Sequence, residues 1–280
     1  LVRTPQEQAI ISAFCCHESF VCFALGRETV FSNSLRYLPK SDETMVGLMQ
    51  PFFSILSDTQ KLHRPEIVDL KELWNVSRSL DGRLQAFWVS ENPHQGPLAK
   101  AEIDMGTVLL QYSILLLYRP FLILRATKRI AKVDTGLSHN ESLKASENDI
   151  IVDEACQYAI DAATESVRFF CRLFETNSIQ KSLPNNPFFL ESACWALIID
   201  SLWGDRASVH LPLIQDSMYC MEQMNFLPGV SARLSTTRNI LKKARMEQIS
   251  YEDLFSTGIF TESEAAWAYA FPDDPDICDQ

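Results

Sequence analysis

The stretch Leu115-Leu116-Leu117-Tyr118-Arg119-Pro120-Phe121-Leu122 lies inside an apolar run, 108–124, that carries a single Arg and a single Pro. An arginine in such a run needs a polar partner to offset its burial. A proline there removes one backbone N–H from any helix it joins. The run is about long enough to cross a membrane. However, Gln111, Ser113 and the Arg119-Pro120 pair interrupt it, and the segments on either side offer enough apolar surface to cover it. It therefore reads as the buried core helix of an all-α protein, extending from about Leu98 to Arg119 and then continuing or restarting to about Ile130.

The rest of the chain supports a helical fold. Thr4-Pro5-Gln6-Glu7 is a capping box with Pro at the first helical position. The helix it opens should run to about Leu25 and stop at Gly26. Ser41 can cap a second helix, 42–63, bent near Pro51. After Pro65, the residues Ile67, Leu70, Leu73, Trp74, Leu80, Leu84, Phe87 and Trp88 recur at helical spacing. Residues 92–97 (Asn-Pro-His-Gln-Gly-Pro) form a loop. Residues 132–149 are polar and read as a flexible linker between two helical halves.

Beyond the linker, 150–174 is strongly amphipathic, and 188–203 is apolar on nearly every side and hence central. Helices near 208–224 and 231–247 follow, separated by Pro228-Gly229. No strand-like alternation is found, so the expectation is an irregular all-α bundle of about eight to ten helices. Residues 1–249 would form the helical domain and residues 250–280 a tail.

Composition narrows the function. Nine Gly and 13 Pro argue against a β-rich protein, and no G-x-G-x-x-G or G-x-x-x-x-G-K occurs. The net charge is −11. Residues 1–245 hold 27 acids and 25 bases, a net of −2, and the remaining nine acids lie beyond Arg245, the last basic residue. Neither part has the basic footprint of a nucleic-acid binder. The eight Cys are mostly far apart in apolar stretches and include no C-x-x-C pair, which suits reduced, packed thiols in a nuclear or cytoplasmic protein. The chain begins at Leu1 with no signal-peptide pattern, as an excised or processed segment would.

The opening string resembles the LLLHRPFL signature of the fungal-specific transcription factor domain, with Tyr118 where the signature usually has His. Other segments resemble that family in order. Residues 14–39 contain Leu25-Gly26-Arg27 and later Leu38-Pro39. Cys156 to Ala163 resembles its Cys-x-x-Ala-Ala helix, and 187–203 its next core helix. The resemblance covers roughly residues 10–245 and implies the helical regulatory region of binuclear zinc cluster transcription factors. Such a region would dimerise, control activation and sense a small molecule in a helical pocket, without a catalytic site, a cofactor or direct DNA contact. The six-Cys zinc cluster of that family is not in this sequence. A stand-alone member of the same fold, working as a ligand-binding, scaffold or even catalytic protein, is the alternative.

Cys15, Cys16 and His17 are consecutive and fan out around a helix, so they cannot converge on a metal; Cys15 and Cys22 would be held about 10 Å apart. Ser178 and Lys181 match S-x-x-K, but the companion motifs are missing. The i, i+4 acid pairs Asp149/Asp153 and Asp161/Glu165 read as solvated faces, with Arg168 placed to pair with Glu165. Arg119 carries two readings. It either binds a ligand carboxylate or hydroxyl in a helical pocket with Tyr112, Tyr118 and Trp195, or it locks the fold with Pro120 by bonding carbonyls freed at the proline or a buried carboxylate. The acids and aromatics of 251–280 resemble an acidic activation segment that meets a coactivator; the alternative is a tail docked on the body. The basic runs at 128–132 and 242–245 read as solvated helix faces.

Overall fold

A computed structural model describes residues 4–25, 52–56, 58, 69–91, 100–134, 147–176, 181–201 and 207–245. Its named helices are α1 (Pro5–Leu25), α2 (Leu70–Glu91), α3 (Lys100–Asp134), α4 (Glu147–Thr176), α5 (Asn186–Ser201), α6 (Ala207–Glu222) and α7 (Val230–Arg245). Residues 52–56 are also helical, and no strand occurs among the described residues. The protein is all-α, as the periodicity requires. By packing, the chain divides into two compact units, 1–110 and 111–280, the division falling within α3.

In the first unit, α1 begins at the capping box. The Thr4 N–H donates to Glu7 Oε2 at 2.7 Å, and the Glu7 N–H donates to Thr4 Oγ1 at 3.3 Å. Two N-terminal donors are thereby satisfied reciprocally. α2 is capped by Asp69, whose Oδ1 accepts from the Lys71 N–H at 3.0 Å. Its buried stripe is Leu70, Leu73, Leu80, Leu84 and Phe87, spaced three, four or seven residues apart, so one face is dry. Gly106 is set by packing: a Cβ there would sit 2.7 Å from the Trp88 ring edge.

In the second unit, α5 is the axis. Fourteen of its 16 residues are buried. It packs against α4, α6 and α7, which explains why its sequence is apolar on nearly every side. α4 presents Val152, Ala155, Cys156, Ala159, Ala163, Val167 and Phe170 inward. The small residues among them let neighbouring backbones approach. α6 gives way to α7 through a turn in which Gly229 takes φ +81°, a left-handed value that favours glycine.

α3 runs unbroken through Pro120, so the segment continues at the proline rather than restarting. One i→i−4 bond is lost there, to the Leu116 carbonyl, yet all eight residues 115–122 are buried and the surrounding packing holds the helix together. The window 106–128 is long and apolar enough to cross a membrane, but 89% of it is buried within the protein. The linker expected over 132–149 is narrower than its composition suggested. α3 reaches Asp134 and α4 starts at Glu147, where Glu147 and Asp149 place negative charge in the first turn. Residues 135–146 lie outside the described residues. So do the tail 250–280, Ser178, the loop 92–97 and most of the helix expected over 42–63.

Candidate functional site

The sequence-predicted residues Tyr112, Tyr118, Arg119 and Trp195 are all at most 4% exposed. They belong to the second unit, but the two tyrosines face different helices. Six residues apart on α3, they point about 120° from one another. Tyr112 packs on the start of α5, with ring centroids 5.6 Å from Phe188 and 4.8 Å from Phe189. Tyr118 stacks on Tyr158 of α4 at 5.0 Å with 20° between the planes. Arg119 lies between these two directions, and Trp195 is buried in the middle of α5. Pro120 follows Arg119 inside the helix.

A second constellation gathers charge in the same unit. Asp200, near the C-terminal end of α5, is 0% exposed. Its Oδ1 accepts from Arg125 Nη2 of α3, and its Oδ2 from His210 Nε2 of α6 at 2.7 Å. Arg125 also reaches Asp153 of α4 at 3.3 Å. One carboxylate therefore ties together three helices, and its guanidinium partner extends the network to a fourth. A carboxylate is acceptor-only, so His210 Nε2 carries the proton and, in the neutral ring, Nδ1 is left as an acceptor. That Nδ1 atom is buried and has no hydrogen-bond partner among the described residues. Chemically this is an Asp–His dyad with one open ring nitrogen, able to accept from a donor group that reaches it.

α5 holds a second buried carboxylate, Glu191, 3% exposed. Nine residues before Asp200 on a helix of 3.6 residues per turn, it points to the opposite side, roughly 180° away. There Arg233 of α7 pairs with it and also lies 5.7 Å from the Phe188 ring. Burial raises the Glu191 carboxyl above its ordinary range, opposed by the Arg233 guanidinium. Each face of the central helix thus carries one acid matched by a base from a neighbouring helix.

The expected Arg168–Glu165 pair is present at 2.9 Å. Asp161 instead accepts from Gln157 at 2.8 Å. Asp153, read as part of a solvated acid pair, is 71% exposed and nonetheless bonds Arg125. Lys181 of the S-x-x-K string sits with its Nζ 5.8 Å from the Phe174 ring. Among the described residues, no group of three or more His, Cys, Asp or Glu is placed to hold a metal ion. Sequence reasoning passed over Arg125, Asp200 and His210. The available signal was a pair of carboxylates, Glu191 and Asp200, within the otherwise mostly apolar run 188–203.

Compared with known proteins, the chain matches no family model, no curated protein and no solved structure.

Proposed function

We propose that this chain is the regulatory, non-DNA-binding domain of a fungal zinc cluster transcription factor, controlling activation through dimerisation, partner contacts or a sensed small molecule. The observation that carries the reading is the string Leu115 to Leu122. It occupies a wholly buried stretch of α3, with Arg119 4% exposed and Pro120 inside the helix. Placing a guanidinium and a proline side by side in a core is costly, so the string is a structural device with a specific role and not an incidental composition. Its resemblance to the family signature supports the assignment, as do the family-like segments that precede and follow it in order. In this reading Arg119 and Pro120 hold the core, and a ligand pocket would open beside one of the two tyrosines, Tyr112 against α5 or Tyr118 against α4. Residues 251–280 would contact a coactivator.

The test is the transcript that encodes the chain. Six cysteines in C-x-x-C spacing upstream of Leu1 are expected. A methionine codon immediately before Leu1 would overturn the assignment.

A second reading is favoured by a specific observation, the Asp200–His210 dyad with its open Nδ1. A stand-alone protein of the same fold could use that atom to bind a hydroxyl or amine donor, or to take a proton from it. His210→Gln keeps a polar side chain but removes the imidazole. A ligand response or activity abolished by His210→Gln, with the fold intact, would favour this reading over the first.

A further inference from the structure

Two thiols that neither reading uses lie side by side. Cys171 on α4 and Cys220 on α6 have their sulfurs 3.7 Å apart, although 49 residues separate them in sequence. Neither is in a disulfide. We propose that Cys171 and Cys220 form a peroxide-oxidisable dithiol, a modification site at which a disulfide staples α4 to α6.

The geometry suits the reaction. A disulfide needs its sulfurs about 2.05 Å apart, so closure requires roughly 1.7 Å of combined movement. Side-chain rotation at one or both cysteines supplies a displacement of that order. The two thiols also differ in a way that assigns their roles. Cys171 is half-buried, whereas Cys220 is 2% exposed. The Cys220 S–H donated to Cys171 favours the thiolate at Cys171. The same contact, with burial, holds Cys220 as a thiol. Cys171 is therefore the sulfur that a solute meets first, and Cys220 the resolving partner behind it. The other cysteines described in this unit are less accessible. Cys156 and Cys194 are 0% exposed, and burial pushes the Cys194 thiol up to about 12.

The oxidant is a hydroperoxide. The Cys171 thiolate attacks one peroxide oxygen of hydrogen peroxide; the S–O bond forms, the O–O bond breaks, and hydroxide leaves to be protonated as water. Cys171 is then a sulfenic acid, oxidised by two electrons at the expense of the peroxide. The Cys220 sulfur attacks it; the S–S bond forms, the S–O bond breaks, and the departing hydroxide takes the Cys220 proton to leave as a second water. The new bond closes a loop that contains the whole of the central helix α5.

The test uses the full chain treated with equimolar hydrogen peroxide, alkylated, and mapped by non-reducing peptide mass spectrometry. The expected product is a linked Cys171–Cys220 peptide pair, lighter by about 2 Da than the two free peptides together and restored by dithiothreitol. The melting temperature should rise by roughly 10 °C on oxidation. Neither change should occur in Cys171→Ser, where Cys220 should stay alkylatable after denaturation. Cys220→Ala should instead accumulate oxidised Cys171 without a link. If Cys220→Ala fails to fold, the wild-type and Cys171→Ser maps decide the matter. Another pair linking first, or Cys171 passing to sulfinic acid while Cys220 remains a free thiol, would overturn the proposal.

Discussion

Asp200→Asn should be among the most damaging single-atom-scale changes available in this protein. The carboxylate is 0% exposed and serves Arg125 and His210 together. Asparagine keeps the volume and removes the charge. Arg125, 14% exposed at its side chain, would then keep its pairing with Asp153, which is 71% exposed and strongly hydrated. His210 Nε2–H would lose an ionised acceptor and gain at best a neutral one. Breaking a buried ion pair by removing one partner costs about 3–5 kcal/mol. Because Asp153 still offers Arg125 partial compensation, the lower end, about 3 kcal/mol, is expected. For a unit of this size that corresponds to a fall of roughly 6–12 °C in melting temperature. Urea titration followed by circular dichroism measures it, with Asp153→Asn as the control, expected within about 0.5 kcal/mol of wild type. A double-mutant cycle between Asp200→Ala and His210→Ala should return a coupling of roughly 1–3 kcal/mol. If Asp200→Asn costs less than about 1 kcal/mol, the cluster does not hold these helices together and the reasoning fails.

Three further outcomes follow from the same packing. Arg119→Ala should lower stability by roughly 2–5 kcal/mol, and Arg119→Lys should also be costly, because an ammonium cannot reproduce the planar guanidinium fork; an unchanged melting temperature together with a lost ligand response would instead place Arg119 in a pocket. Burial raises the Glu191 carboxyl above its ordinary range, so the native state holds that proton more tightly than the unfolded state, and the Glu191 contribution to stability should fall as pH rises from the ordinary glutamate range through the raised one. Glu191→Gln should flatten that part of a stability–pH curve, and an unaltered slope would count against the assignment. Gly229→Ala should cost about 1–2 kcal/mol by urea titration, since φ is +81° there, and a neutral result would mean that the turn relaxes freely.

Much of the fold was legible because its signals are local. The Thr4–Glu7 box, the three-and-four spacing in 70–88 and the Pro228-Gly229 break each act within a few residues of where they are read, and each marks a helix or a boundary in the structure. The nearly all-apolar run 188–203 announced a central helix, and α5 is one. The polar cluster was not legible in the same way. Arg125 and Asp200 lie 75 residues apart, and nothing in either local pattern names the other. A buried carboxylate implies a cation, but only the packing of α3, α5 and α6 says which one. Likewise Tyr112 and Tyr118 look like one aromatic pair in sequence. Their six-residue separation turns them toward α5 and α4 respectively. Pro120 left open whether the helix continues or restarts, and that choice is made by the burial around it, which no local pattern records.

The central claim, that this is a transcriptional regulatory domain, is tested most directly by reporter output. The chain, with and without residues 251–280, is fused to a heterologous DNA-binding domain and assayed in a fungal host. The account predicts activation above the DNA-binding domain alone that is strongly reduced when 251–280 are removed, with both fusions present at equal levels. Equal, background-level output from both well-expressed fusions under all growth conditions tried would contradict it.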